Sequence, residues 1–124
     1  MNIVTPPPAH TAAGCNAALN AVGDALYVIG GKWKMRIIVV LRDGSKRFND
    51  LQRSVTGISA RVLSNELKDL EINGFVKRVV DANATPVVVT YELMPYADTL
   101  KEVIASLHNW GVMHRNKLMQ KITP

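Results

Sequence analysis

The chain has 124 residues, 48% of them hydrophobic, which is enough for one modest core and little beyond it. A single cysteine, Cys15, excludes an internal disulfide framework; His10, His108 and His114 have no Cys or His partner at metal-ligand spacing; and no apolar run approaches the roughly 20 residues of a bilayer span. The expectation is a cytoplasmic protein with no membrane segment, metal or other cofactor, and its net charge of +5 is concentrated in one place: Lys32 to Arg61 holds eight basic residues against Asp43 and Asp50.

Residues 1–14 contain Pro6-Pro7-Pro8 and no basic residue, so they lack the charged start of a signal peptide and are read as a disordered tail. From Cys15 to Ile29 the residues Leu19, Val22, Leu26 and Ile29 recur at helical spacing until Gly30-Gly31 ends the run. A second helix is predicted over about Lys32 to Arg42, burying Trp33, Ile37, Val40 and Leu41 and stopping at Asp43-Gly44-Ser45. A short third helix, Arg47 to about Ser54, has only Phe48, Leu51 and the adjoining Val55 to bury. Thr56-Gly57-Ile58-Ser59 then makes a turn whose serine can cap a fourth helix.

In that fourth helix Leu63, Leu67 and Leu70 share one side, whereas Arg61, Asn65 and Lys68 share the other, up to Asn73-Gly74. Two β-branched runs, 75–80 and 87–93, predict a hairpin with a loop over 81–86. Pro95 opens a long last helix whose apolar stripe runs through Leu100, Val103, Ile104, Leu107, Trp110, His114 and Leu118.

This order of elements predicts an α+β, mainly α fold: a winged helix-turn-helix domain over 15–119, with the helix-turn-helix at 47–74 and the wing at 75–94. Such a helix pair suits the major groove of double-stranded DNA. Lys46, Arg47 and Arg53 are expected mainly to neutralise phosphate, and Arg61, Ser64, Asn65 and Lys68 to face base edges or nearby phosphates, with the capping Ser59 also among the DNA-binding positions. Trp33 and Phe48 read as core plugs, because neither interleaves with exposed basic residues as a stacking platform does.

The first and last helices, 15–29 and 95–119, offer more apolar stripe than one small core covers. A homodimer interface is therefore expected at Leu19, Val22, Leu26, Leu100, Ile104, Leu107 and Trp110. No nucleophile has a base at recognisable spacing and no phosphate-binding glycine loop occurs, which argues against an enzyme. A winged helix used for protein contact and a MarR-like regulator are the alternatives.

Four motifs in order, Ile29-Gly30-Gly31-Lys32-Trp33-Lys34, Lys46-Arg47-Phe48-Asn49-Asp50-Leu51, Gly57-Ile58-Ser59 and Leu67-x-x-Leu70-Glu71-x-x-Gly74, resemble the HxlR family over about residues 20 to 114. The resemblance implies a prokaryotic transcriptional regulator that dimerises through its first and last helices and binds a pseudo-palindromic operator. Some members of the family sense electrophiles or oxidants, which makes Cys15 a candidate redox or effector position. Three positions depart from the family pattern. Asn20 stands where the family usually has its N-terminal cysteine, five residues after Cys15; the wing lacks the usual basic residue near Val88; and Met94-Pro95-Tyr96-Ala97 replaces Thr-Pro-x-Gly. Cys15 is therefore not expected to act as a conventional thiol switch, and a small-molecule effector is left unassigned.

Overall fold

The computed structural model describes residues 11–122. In chain order it comprises α1 (Ala12–Ile29), α2 (Lys34–Leu41), β1 (Lys46–Arg47), α3 (Phe48–Ser54), α4 (Ala60–Ile72), β2 (Val76–Asp81), β3 (Val88–Leu93), a 3-10 segment (Pro95–Leu100) and α5 (Lys101–Ile122). Residues 1–10 of the expected tail lie outside the described residues. The rest of it is corrected: Thr11 caps α1, its hydroxyl accepting from the Gly14 amide at 2.9 Å, so the helix starts before Cys15. At the other end of α1, a Cβ on Gly30 would collide with the Leu26 carbonyl, and Gly31 has φ +92°, so this glycine pair stops the helix for steric reasons.

The core lies where α2, α3 and α4 meet the sheet. Ile37, Ile38 and Leu41 from α2, Leu51 from α3 and Leu63, Leu67 and Leu70 from α4 are buried together with Val55, Ile58, Phe75 and Val76. Trp33 and Phe48 pack against this cluster while remaining partly accessible; contrary to the expectation for Trp33, the exposed Lys32 and Arg36 lie over its ring. Ile38, absent from the expected buried set, belongs to it; Val40 sits at the margin.

The sheet has three strands, not the two of the expected hairpin. β2 and β3 pair antiparallel from Val76↔Leu93 to Asp81↔Val88, and β1 adds to the far side of β3 through Lys46↔Tyr91 and Arg47↔Thr90. The start of α3 is thereby joined to the wing by main-chain pairing. Phe48 and Tyr91 meet across this junction with ring centres 6.5 Å apart.

Helices α1 and α5 stand largely clear of the core. Among the described residues of α1 only Val28 and Ile29 pack against it, and Leu19, Val22, Leu26 and Tyr27 are exposed, Tyr27 to 91%. On α5, Val103, Leu107, Trp110 and Met113 are exposed, while Ile104 packs inward. Leu100 corrects the sequence expectation of an interface position: it is 7% exposed and belongs to the chain's own core. Its segment winds with three residues per turn, which eclipses Ala97 and Leu100 and sends both inward, whereas a regular α-helical phase aligns Leu100 with Leu107. Among the described residues, no helix is long and apolar enough to cross a membrane. Leu100→Ala is accordingly expected to cost about 2–4 kcal/mol, independent of protein concentration, in urea unfolding; a loss that vanished on dilution would return Leu100 to an interface.

Candidate nucleic-acid interface

What α4 shows to solvent follows from what it buries. At 100° per residue, sealing Leu63, Leu67 and Leu70 against α2 turns Arg61, Asn65 and Lys68 to the opposite side, and all three are exposed. Ser64 lies about 60° round the helix from Arg61 and is half-buried, which puts it at the rim of this face. Ile72 continues the same row and is 82% exposed, so the face ends in an apolar side chain that the sequence reading did not single out. The i+4 spacing from Lys68 was the available signal.

The approach to α4 is built by its cap and its turn. Ser59 Oγ accepts from the Val62 amide at 3.1 Å, the role expected for it. Gly57 has φ +90°, and its missing Cβ faces Trp33 at 3.8 Å, so both backbone angle and proximity to the indole suit glycine there. Trp33 itself lies under two cations: Lys32 Nζ is 4.7 Å and the Arg36 guanidinium carbon 5.7 Å from its ring centre.

A lysine of the basic block clamps the flank of α4. Lys34 Nζ donates to Glu66 Oε2 at 2.8 Å and stands 3.4 Å from Asp69 Oδ2, with only 14% of its side chain exposed. Burial works against its charged form. The hydrogen bond and charge of Glu66, followed by those of Asp69, outweigh that cost and raise its pKa above the ordinary lysine value.

The basic block therefore divides by task. Lys34 is committed to α4, and Lys32 and Arg36 lie over the indole, Arg36 at the longer distance. Lys46 and Arg47 form β1 beside the wing. Arg53, expected to contact phosphate, is exposed on α3 and ion-paired with Asp50 one turn earlier, so a phosphate must share or displace that carboxylate. In the wing, Lys77 faces Glu92 across the strands at 3.7 Å, and the Asp81 carboxylate accepts from the Asn83 amide at 3.1 Å to shape the loop. Cys15 is exposed in the first turn of α1.

A wing beside a two-helix unit with a polar, outward second helix defines a winged helix-turn-helix protein. The profile of the HxlR-like helix-turn-helix family matches residues 28–119, and the chain belongs to that family of DNA-binding transcriptional regulators, which are not enzymes. This assignment replaces the protein-contact alternative, while a solved structure described as a MarR-family regulator of Enterococcus faecalis also superposes, with a TM-score of 0.69 at 35% identity, covering 82% of this chain and 91% of that one. The chain is 38% identical over 98 residues to the uncharacterized HTH-type transcriptional regulator YtcD of Bacillus subtilis, covering 79% of this chain and 77% of the relative. It is 42% identical over 95 residues to the uncharacterized HTH-type transcriptional regulator BH0655 of Halalkalibacterium halodurans, covering 76% and 83% respectively. Among solved structures, the redox regulator HypR in its reduced form superposes with a TM-score of 0.73 at 36% identity, covering 81% of this chain and 98% of that one.

Lys34→Met strands Glu66 half-buried without its partner and is expected to cost about 1–2 kcal/mol of stability. Because the folded-state pKa of Lys34 is raised, its charge contributes fully below about 10.5, its ordinary value, and the contribution is lost as pH rises through the folded value. Unfolding titrations from neutral pH upward should thus show parent and variant converging in strong alkali. Convergence already at neutral pH would mean that the ion pair contributes nothing.

Proposed function

We propose that the protein acts as a homodimer on a two-fold-symmetric operator and reads bases with the exposed Arg61, Asn65 and Lys68 of α4. The observation that carries this reading is the outward polar row on a helix whose opposite side is sealed by Leu63, Leu67 and Leu70. Arg61 lies in the first turn after the Ser59 cap, where side chains of a recognition helix reach deepest into the groove. Lys46, Arg47 and Arg53 act on phosphate, with Ser59 and Ser64 at the margins of the contact. The wing, with Lys77 facing Glu92, plays the lesser part.

The dimer reading is supported by the exposed apolar residues that α1 and α5 carry outside the core: Leu19, Val22 and Leu26 on one, Leu107 and Trp110 on the other, with Ile104 at the base. A partner that covers them removes hydrophobic surface from water and sets two copies of α4 about 34 Å apart, one turn of the duplex. Since Leu19 and Trp110 are exposed in the single chain, Leu19→Glu and Trp110→Glu should leave the helical circular dichroism intact. Each should nevertheless give monomers in sedimentation and weaken operator binding; a parent chain that sediments as a monomer at micromolar concentration would overturn the dimer.

The base-reading assignment separates two kinds of arginine. On a duplex selected by the protein from a random pool, Arg61→Ala should cost roughly 1–3 kcal/mol, with a much smaller loss on a scrambled duplex. Arg53→Ala should weaken both duplexes alike and flatten the dependence of log affinity on log salt by at most about 1 per subunit, less to the extent that Asp50 already offsets its charge. Equal losses on both duplexes for Arg61→Ala would make it a phosphate contact.

A further inference from the structure

Between α2, the end of α3 and α5 lies an open cleft of about 930 Å³, towards the upper end of the roughly 300–1,000 Å³ typical of small-molecule sites. Its inner wall is hydrocarbon: Val55 is buried, and Met35, Val40 and Ile104 are partly buried there. Its outer edge carries Arg36, Arg42 and His108 beside the exposed Val39 and Leu107, the latter shared with the proposed dimer face, with the hydroxyls of Ser54 and Thr56 at the α3 end, and no carboxylate is among the described residues that line it. An apolar wall edged by charge of a single sign is complementary to a molecule with a hydrocarbon body and an anionic head. Arg36 is partly engaged by the Trp33 ring, which leaves Arg42 as the principal partner for that head.

The geometry points to a binding site for a small organic carboxylate in this cleft, its body on Met35, Val40, Val55 and Ile104 and its carboxylate on Arg42, aided by Arg36. The cleft wall includes Ser54, Val55 and Thr56, the residues that lead into the Gly57 turn and hence into α4. A ligand wedged there and the placement of the recognition helix share one wall, so occupancy changes affinity for DNA. That coupling rests on the proposed DNA-reading role of α4; binding of the carboxylate does not.

Calorimetry on the full chain tests the site directly with naphthoate, decanoate and the neutral naphthylmethanol, the two acids separating aromatic from aliphatic ligands. At least one acid should saturate at one site per chain, and its affinity should fall about tenfold in Arg42→Met. The alcohol should bind at least about tenfold more weakly than naphthoate, or not at all, and be indifferent to that substitution. Ala105→Trp, at an exposed position lining the cleft, should fill it and abolish binding while circular dichroism stays at the parental value. No saturable binding of either acid, the result expected if a second copy of the chain occupies the cleft, would overturn the proposal. So would an alcohol that binds as tightly as naphthoate, or undiminished binding in Ala105→Trp. Acid binding that leaves duplex affinity unchanged would overturn the coupling alone.

Discussion

Leu63, Leu67 and Leu70 fix the rotation of α4 about its own axis, because any other rotation would bring a leucine into water and drive Arg61, Asn65 or Lys68 into the core. What the candidate interface presents to solvent is a consequence of that one phase angle. Ile37, Ile38 and Leu41 supply the opposing surface on α2, and Lys34, on the same helix, reaches across to Glu66 and Asp69. Apolar burial sets the angle and the ion pair holds the flank, so the polar row is presented by a helix braced at two points.

The charge distribution gains meaning only after the chain is folded. Read linearly, Lys32 to Arg61 is one basic block; folded, it supplies a clamp, two cations over an indole, a surface ion pair and a short basic strand. Cations just before and within α2 lie over Trp33, and Trp33 in turn faces Gly57 at the entrance to α4. Positive charge therefore serves the architecture as well as the ligand, and net charge alone overstates how much of it is available to phosphate.

The helix-turn-helix was legible because several local signals agree: a leucine repeat of helical period, a glycine turn with a capping serine, and β-branched runs after Asn73-Gly74. What was missed depends on partners distant in sequence or on a change of winding. Lys46-Arg47 has no alternation to mark it as a strand and becomes one only because β3 lies alongside. Lys34 and Glu66 are 32 positions apart, so their pairing has no local signature. Ala12-Ala13-Gly14 carries no apolar stripe, and the start of α1 is marked by the Thr11 cap alone. Leu100 was misplaced because a constant 100° per residue was carried through a segment that winds more tightly. In the candidate interface the side chains on α4 were legible from the wheel, whereas the Arg53–Asp50 pair in α3 had only its i, i+3 spacing to suggest it.

The two tryptophans of the chain sit in unlike surroundings, and this makes the protein its own optical instrument. Trp33 is partly buried, flanked by Lys32 and Arg36 and set against the Gly57 turn, so its emission follows the state of the segment that leads into α4. Trp110 is 59% exposed on α5 and stacked on His114 at 4.9 Å, so it emits as a water-facing indole whose spectrum shifts to shorter wavelength when that helix is covered. With either tryptophan replaced by phenylalanine, the other gives a single-site signal. Rearrangement beside the recognition helix and coverage of the last helix become separable events in one solution, without an attached dye.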